Sequence, residues 1–110
     1  MQFGRVEGIV VPVDAAAGPM LRLTVYLEIG ERLDIVRDEV VPPLRPVTSD
    51  EDLIWHADQL TQETIGVDLA RRGWEAIASS EIPPPEPGAL ARSATYTVRR
   101  LGETGTAPGC

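Results

Sequence analysis

Hydrophobic and polar positions alternate most cleanly between Leu21 and Ile29. Leu21, Leu23, Val25, Leu27 and Ile29 take one side of the chain, and Arg22, Thr24, Tyr26 and Glu28 take the other. A period of two places successive side chains on opposite faces of a sheet, so this stretch predicts a half-buried β-strand. Gln2 to Val13 ends in the apolar run Ile9-Val10-Val11-Pro12-Val13 and reads as a strand whose proline favours an edge or a terminus. Asp14 to Pro19 reads as the loop between the two. Gly30-Glu31-Arg32 signals a turn, and Leu33 to Val41 fits a return strand with poorer alternation and the charges of an edge. Pro42, Pro43 and Pro46 then stop pairing, because each removes a backbone donor and fixes φ.

After Thr48 the period changes. Ser49 with Asp52 three residues on fits an N-cap, and Asp50, Glu51 and Asp52 fill a first turn, where the helix dipole favours negative charge. Arg71 and Arg72 followed by Gly73 give the order of a C-terminus, with cations in the last turn and glycine in the left-handed position. A single helix over Ser49 to Arg72 is predicted, with Trp74 placed to latch onto Leu69. On its wheel Leu53, Ala57, Leu60, Thr64 and Val67 form one stripe. Ile54, Ile65 and Leu69 widen it to an arc of about 200°, broader than packing on one sheet requires.

Glu75 to Ile82 can be a short strand, and Pro83 to Gly88 is a stiff extended connector. Ser93 to Leu101 is the last strand, with Ala94, Tyr96 and Val98 on one face, and Gly102 to Cys110 reads as a disordered tail. The order β-β-(β)-α-β-β predicts an α+β fold: a four- or five-stranded, mainly antiparallel sheet with one long helix packed on one face, in one domain over residues 1–101. One face of that sheet is left over, to be solvated or covered by a second copy.

Charge sharpens this picture when it is divided along the chain. The net charge is −7. Residues 1–48 hold five Arg against seven acids, residues 49–70 hold six acids and no base, and residues 71–110 hold five Arg against four acids. The excess therefore sits in the helix segment, which argues against direct nucleic-acid binding, where a basic patch is expected. Docking on a basic surface, as acidic inhibitors that mimic nucleic acid do, is a further reading of the same run. All ten basic residues are Arg, which suggests a GC-rich source such as an actinobacterium or its phage and removes lysine-based mechanisms. No apolar run suits a membrane span or a leader, so a cytoplasmic protein without a membrane partner is expected.

Leu69-Ala-Arg-Arg-Gly73-Trp74-Glu75-Ala-Ile77 followed by Tyr96-Thr-Val98-Arg99-Arg100 resembles small uncharacterised bacterial and phage proteins. In those a helix ends in Leu-x-x-x-Gly-Trp-Glu-x-Val and a final strand closes with an aromatic, an aliphatic and a basic pair. The resemblance covers about the last third of the chain and implies a small α+β fold with no established activity.

Candidate chemistry is sparse. The chain has one histidine, His56, and one cysteine, the terminal Cys110, so a Ser-His-Asp or Cys-His arrangement would need His56 beside a nucleophile that its neighbourhood lacks. Phosphate-loop, dinucleotide, zinc-knuckle and His-Glu-x-x-His signatures do not occur. A non-catalytic protein without a cofactor is the expectation. Asp52, His56, Gln59 and Glu63 fall within a stripe of about 60° on the wheel, so Asp52, His56 and Glu63 are candidate ligands for a divalent metal such as Zn²⁺ or Mn²⁺. The bland reading is a solvated face with an Asp52–His56 pair. Trp55 lies outside the apolar arc among Glu51, Asp58 and Gln62, a candidate partner-binding patch since tryptophan is enriched at binding hot spots. Alternatively it packs under the Pro42 to Pro46 loop or stacks on an arginine. The leading expectation is a small interaction or assembly module that forms a homodimer. The second is a small-ligand or metal-binding protein.

Overall fold

The structure, a computed structural model of the chain, describes residues 2–16, 18–79 and 90–101. Strands β1 (Phe3–Ala15), β2 (Gly18–Ile29) and β3 (Arg32–Val41) form a meander. Helix α1 (Asp50–Thr64) follows and continues through a π turn (Ile65–Leu69) and a short 3-10 turn (Ala70–Arg72) into β4 (Trp74–Ser79) and β5 (Arg92–Arg100). The five strands make one antiparallel sheet in the order β3-β2-β1-β5-β4. The helix packs on one face, so the predicted α+β architecture is present with five strands. None of the described helices is long and apolar enough to cross a membrane. The Pro83 to Gly88 connector, the Gly102 to Cys110 tail and Cys110 itself lie outside the described residues.

The core lies where the regular alternation put it. Val6 and Val10 of β1, Leu23, Val25 and Leu27 of β2, and Ala94, Tyr96 and Val98 of β5 meet Ala57, Leu60, Ile65, Leu69 and Trp74 in one buried cluster. Closest approach comes at Gly8 on β1. A Cβ built there would overlap the hydroxyl of Thr61, so the helix can lie on the sheet only because residue 8 has no side chain.

Three expectations are corrected. The segment after Val13 is no open loop: β1 runs on to Ala15, which pairs with Gly18 in a tight hairpin. Of the edge or terminus that Pro12 favours, the edge is not found, since β1 is the central strand; Pro12 stands toward its end, where pairing with β5 has stopped at Val10 and only β2 lies beside it. The return strand β3 is at the edge of the sheet, as its charges led one to expect, and its weak alternation has a bulge as a further cause. Val25 pairs with Arg37 and Tyr26 with Ile35, so Val36 is extra and the in-and-out phase changes there.

Helix regularity, the third, fails at Ile65. The N–H of Ala70 donates to the carbonyl of Ile65, a five-residue step that rotates the last turn relative to a uniform wheel. Val67, expected in the apolar stripe, is therefore exposed, while Leu69 is brought back to full burial. The ending itself is as read: Gly73 is left-handed, with φ of 87°, and its N–H donates to the carbonyl of Ala70 at 3.0 Å. Trp74 and Leu69 are both in the core cluster.

Candidate functional site

The helix begins as its sequence dictates. Ser49 caps it, its Oγ accepting from the Asp52 N–H at 3.4 Å. Asp52 answers by accepting from the N–H and the hydroxyl of Thr48, both at 2.9 Å, and from the Ser49 hydroxyl at 3.2 Å. Arg45 lies 3.4 Å from its other oxygen. These donors, the Thr48 N–H foremost, hold the Asp52 carboxyl below the usual carboxylate range. The carboxylate is thus spent on fastening the 42–48 segment to the helix.

His56 fastens the same segment from below. It is fully buried. The Leu44 N–H donates to Nε2 at 3.0 Å, and Nδ1 lies 2.7 Å from the Asp52 carbonyl oxygen. An amide N–H can only donate, so Nε2 must accept and the ring proton resides on Nδ1, where it serves the carbonyl. Both ring nitrogens are occupied. Glu63, farther along, instead pairs with Arg37 at 3.1 Å. Asp52, His56 and Glu63 are consequently not brought together as ligands, and among the described residues no group of three His, Cys, Asp or Glu side chains could hold a metal ion. The wheel carried the sign of this: His56 has Leu53 and Leu60 one turn away on either side, which is a core-facing position.

The patch proposed around Trp55 also divides. Trp55 is half-buried, with the Arg45 guanidinium 3.9 Å from its ring centroid and His56 edge-on at 4.9 Å. It therefore stacks under the proline-rich segment, while Glu51 and Gln62 are exposed and Asp58 is half-buried. Asp58 and Gln62 reach the sheet. The Tyr96 hydroxyl donates to the Asp58 carboxylate, while the Gln62 amide donates to the Tyr96 oxygen at 2.9 Å and to Asp58 at 2.8 Å. Burial first, and then the bond to Asp58, push the Tyr96 phenol up to about 12. Tyr96 was legible as a core residue but not as the anchor of this cluster, since nothing in its strand marks which helix residues lie above it.

Beside the cluster, Ile65, Gly66, Ala70, Trp74, Ala76 and Tyr96 line a mainly apolar groove of about 330 Å³, to which Gln62 and Glu75 add polar groups. Glu75 is neutralised by Arg99 at 2.5 Å. The groove exists because the π turn carries Ile65 and Gly66 past β4 with small residues facing across.

On the opposite side of the sheet no described helix or strand forms a covering layer. The strand registers set its rows. Ile35, Tyr26, Glu7 and Thr95 run across β3, β2, β1 and β5, followed by Leu33, Glu28, Arg5 and Thr97. Phe3, Leu33, Ile35 and Val40 are exposed by 51 to 62%. Between them stand the pairs Arg5–Glu28 at 3.7 Å and Arg22–Asp38 at 3.3 Å. This face combines exposed large apolar side chains with internally balanced charge. In comparisons with family models, curated proteins and solved structures, nothing matches the chain.

Proposed function

We propose that this protein is a non-catalytic, cytoplasmic interaction module that self-associates, two copies meeting through the open face of the sheet. The observation that carries the reading is the exposure of Phe3, Leu33, Ile35 and Val40 on a face that no described layer covers. A second copy suits it electrostatically. The six acids of residues 49–70 lie on the helix side, whereas the open face pairs Arg5 and Arg22 with Glu28 and Asp38. Two sheets placed face to face keep the acidic helices at the far ends of the dimer, so the net charge of −7 does not oppose contact where contact occurs. Edge-to-edge growth is discouraged at β3, whose bulge and run of Arg37, Asp38 and Glu39 make a poor template.

Light scattering after gel filtration, at two concentrations, tests it. The expected mass is twice 11.9 kDa, and Ile35→Arg returns it to the single-chain value without loss of the folded far-ultraviolet spectrum. A single-chain mass for the unaltered protein at every concentration would sink the reading.

A further inference from the structure

A separate hollow lies near the start of the helix, between the end of the β1–β2 hairpin and the proline-rich segment that follows β3. It measures about 390 Å³, within the range of small-molecule sites. Pro12, Pro19, Pro43 and Pro46 line it together with Leu21 and Val47. Proline has no backbone N–H, so each of the four brings an apolar ring and a carbonyl oxygen but no amide donor. The single charged side chain among the described lining residues is Asp14. It is exposed at the rim, and among the described residues it makes neither an ion pair nor a hydrogen bond. The arginines of this end of the molecule have other partners: Arg22 pairs with Asp38, Arg45 with Asp52 and Arg92 with Asp50. One wall of the hollow is fixed in advance. Pro46 and Val47 lie between Leu44, whose N–H donates to His56, and Thr48, whose N–H donates to Asp52. A wall that is already ordered takes little binding free energy to order. None of Phe3, Leu33, Ile35 and Val40 lines the hollow, so it is distinct from the surface used in self-association.

We infer that this hollow binds a small organic cation, an ammonium group on a compact aliphatic body. The body fills the space against Leu21, Val47 and the proline rings, and the ammonium stands at the rim beside Asp14. Acceptors and a free carboxylate suit a ligand that carries donors and positive charge. A neutral alcohol of the same shape gains the apolar contact but not the charge, and a carboxylate is repelled. Because Asp14 is exposed, its share is that of a surface ion pair, a severalfold preference that salt weakens.

The experiment titrates cyclohexylammonium, cyclohexanol and cyclohexanecarboxylate, three probes of one shape, into the full chain and follows the backbone amides of Val13, Met20 and Val47 by NMR. Saturable shifts at these amides are expected for cyclohexylammonium at about millimolar concentration, with cyclohexanol about threefold or more weaker and the carboxylate weaker still. Asp14→Asn should bring cyclohexylammonium down to the affinity of cyclohexanol and leave cyclohexanol unchanged. Glu51→Gln removes the same charge from an exposed residue outside the hollow, so it separates a local carboxylate from the overall negative charge and should change neither probe. Both substitutions are at exposed positions that make no core contact, so the fold is retained in each. Equal affinity for the three probes, equal losses in Asp14→Asn and Glu51→Gln, or no saturable shift at these amides in the unaltered protein would each overturn the inference.

Discussion

On the helix side of β2, Leu21, Leu23, Val25 and Leu27 are exposed by 2% or less, whereas on the far side of the neighbouring strand Leu33 and Ile35 are exposed by 57% and 62%. Both sets consist of large aliphatic side chains two residues apart along their strands. What separates them is the helix. Residues facing it are fixed by Ala57, Leu60, Ile65 and Leu69, and those facing away have only strand neighbours. Alternation along a strand therefore says that two faces exist, while the element that follows decides which one becomes the core. The most direct way to break the comparison is to remove the same bulk from each side. Leu23→Ala should cost about 2–5 kcal/mol in chemical denaturation, through lost burial and the cavity left behind. Ile35→Ala, measured at a concentration low enough to keep the chain single, should stay within about 0.5 kcal/mol. Equal losses would mean that the outer face is covered within one folded chain.

A smaller effect tests how closely the two layers approach. Gly8 has no side chain at the point where Thr61 lies, and the Thr61 hydroxyl is tied down by a 2.6 Å bond to the Ala57 carbonyl. Gly8→Ala should force the helix or the threonine to move, at a cost of about 1–3 kcal/mol typical of overpacking. In a Thr61→Ala background the same substitution should cost clearly less, because the atom it strikes is gone. Additive losses in the double variant would show that Gly8 is needed for its backbone and not for this contact. No comparable penalty is expected at Glu7 or Ile9, whose side chains point to the open face.

The strands of the core were legible because burial on one face leaves a period of two. The two ends of the helical segment were legible too, since capping at Ser49 and the left-handed Gly73 are decided by a few neighbouring residues. What the sequence did not disclose is set by contacts across the fold. The bulge at Val36 is a relation between β3 and β2, and the π step after Thr64 belongs to the docking of Leu69 and Trp74. His56 and Trp55 were read on a bare wheel, and a segment from another part of the chain covers them: Leu44 bonds the imidazole and Arg45 stacks on the indole. Asp58 and Gln62 were read as part of a partner-binding patch beside Trp55, and Tyr96, to which both bond, is 38 and 34 residues away from them along the chain. The groove beside the π turn was the least legible, because it is defined by what does not pack there, whereas the leftover face of the sheet followed from having one helix to cover it.

The two tyrosines sharpen the comparison most gently, since one stands on each face of the sheet. Tyr26 is in a row of the open face, and Tyr96 is buried under the helix beside Asp58. Ionising Tyr96 would place a second negative charge next to that carboxylate and strip the hydroxyl of the proton it donates. Its folded value, about 12, lies above the ordinary 10.0, so the folded state favours the neutral phenol. The sign follows directly: this contribution to stability is complete below about pH 10 and is lost as the pH rises from there through about 12. In Tyr26→Phe protein, phenolate absorbance then reports Tyr96 alone and should rise with a midpoint near 12, or abruptly where alkaline unfolding releases the ring. Asp58→Asn in the same background should bring the midpoint down, because the charge and the strong acceptor are both removed, while the part due to burial remains. An unshifted midpoint near 10.0 in the folded Tyr26→Phe protein would mean that Tyr96 is as open to solvent as a residue on the uncovered face, and the distinction between the two faces would fail where the helix is meant to seal it.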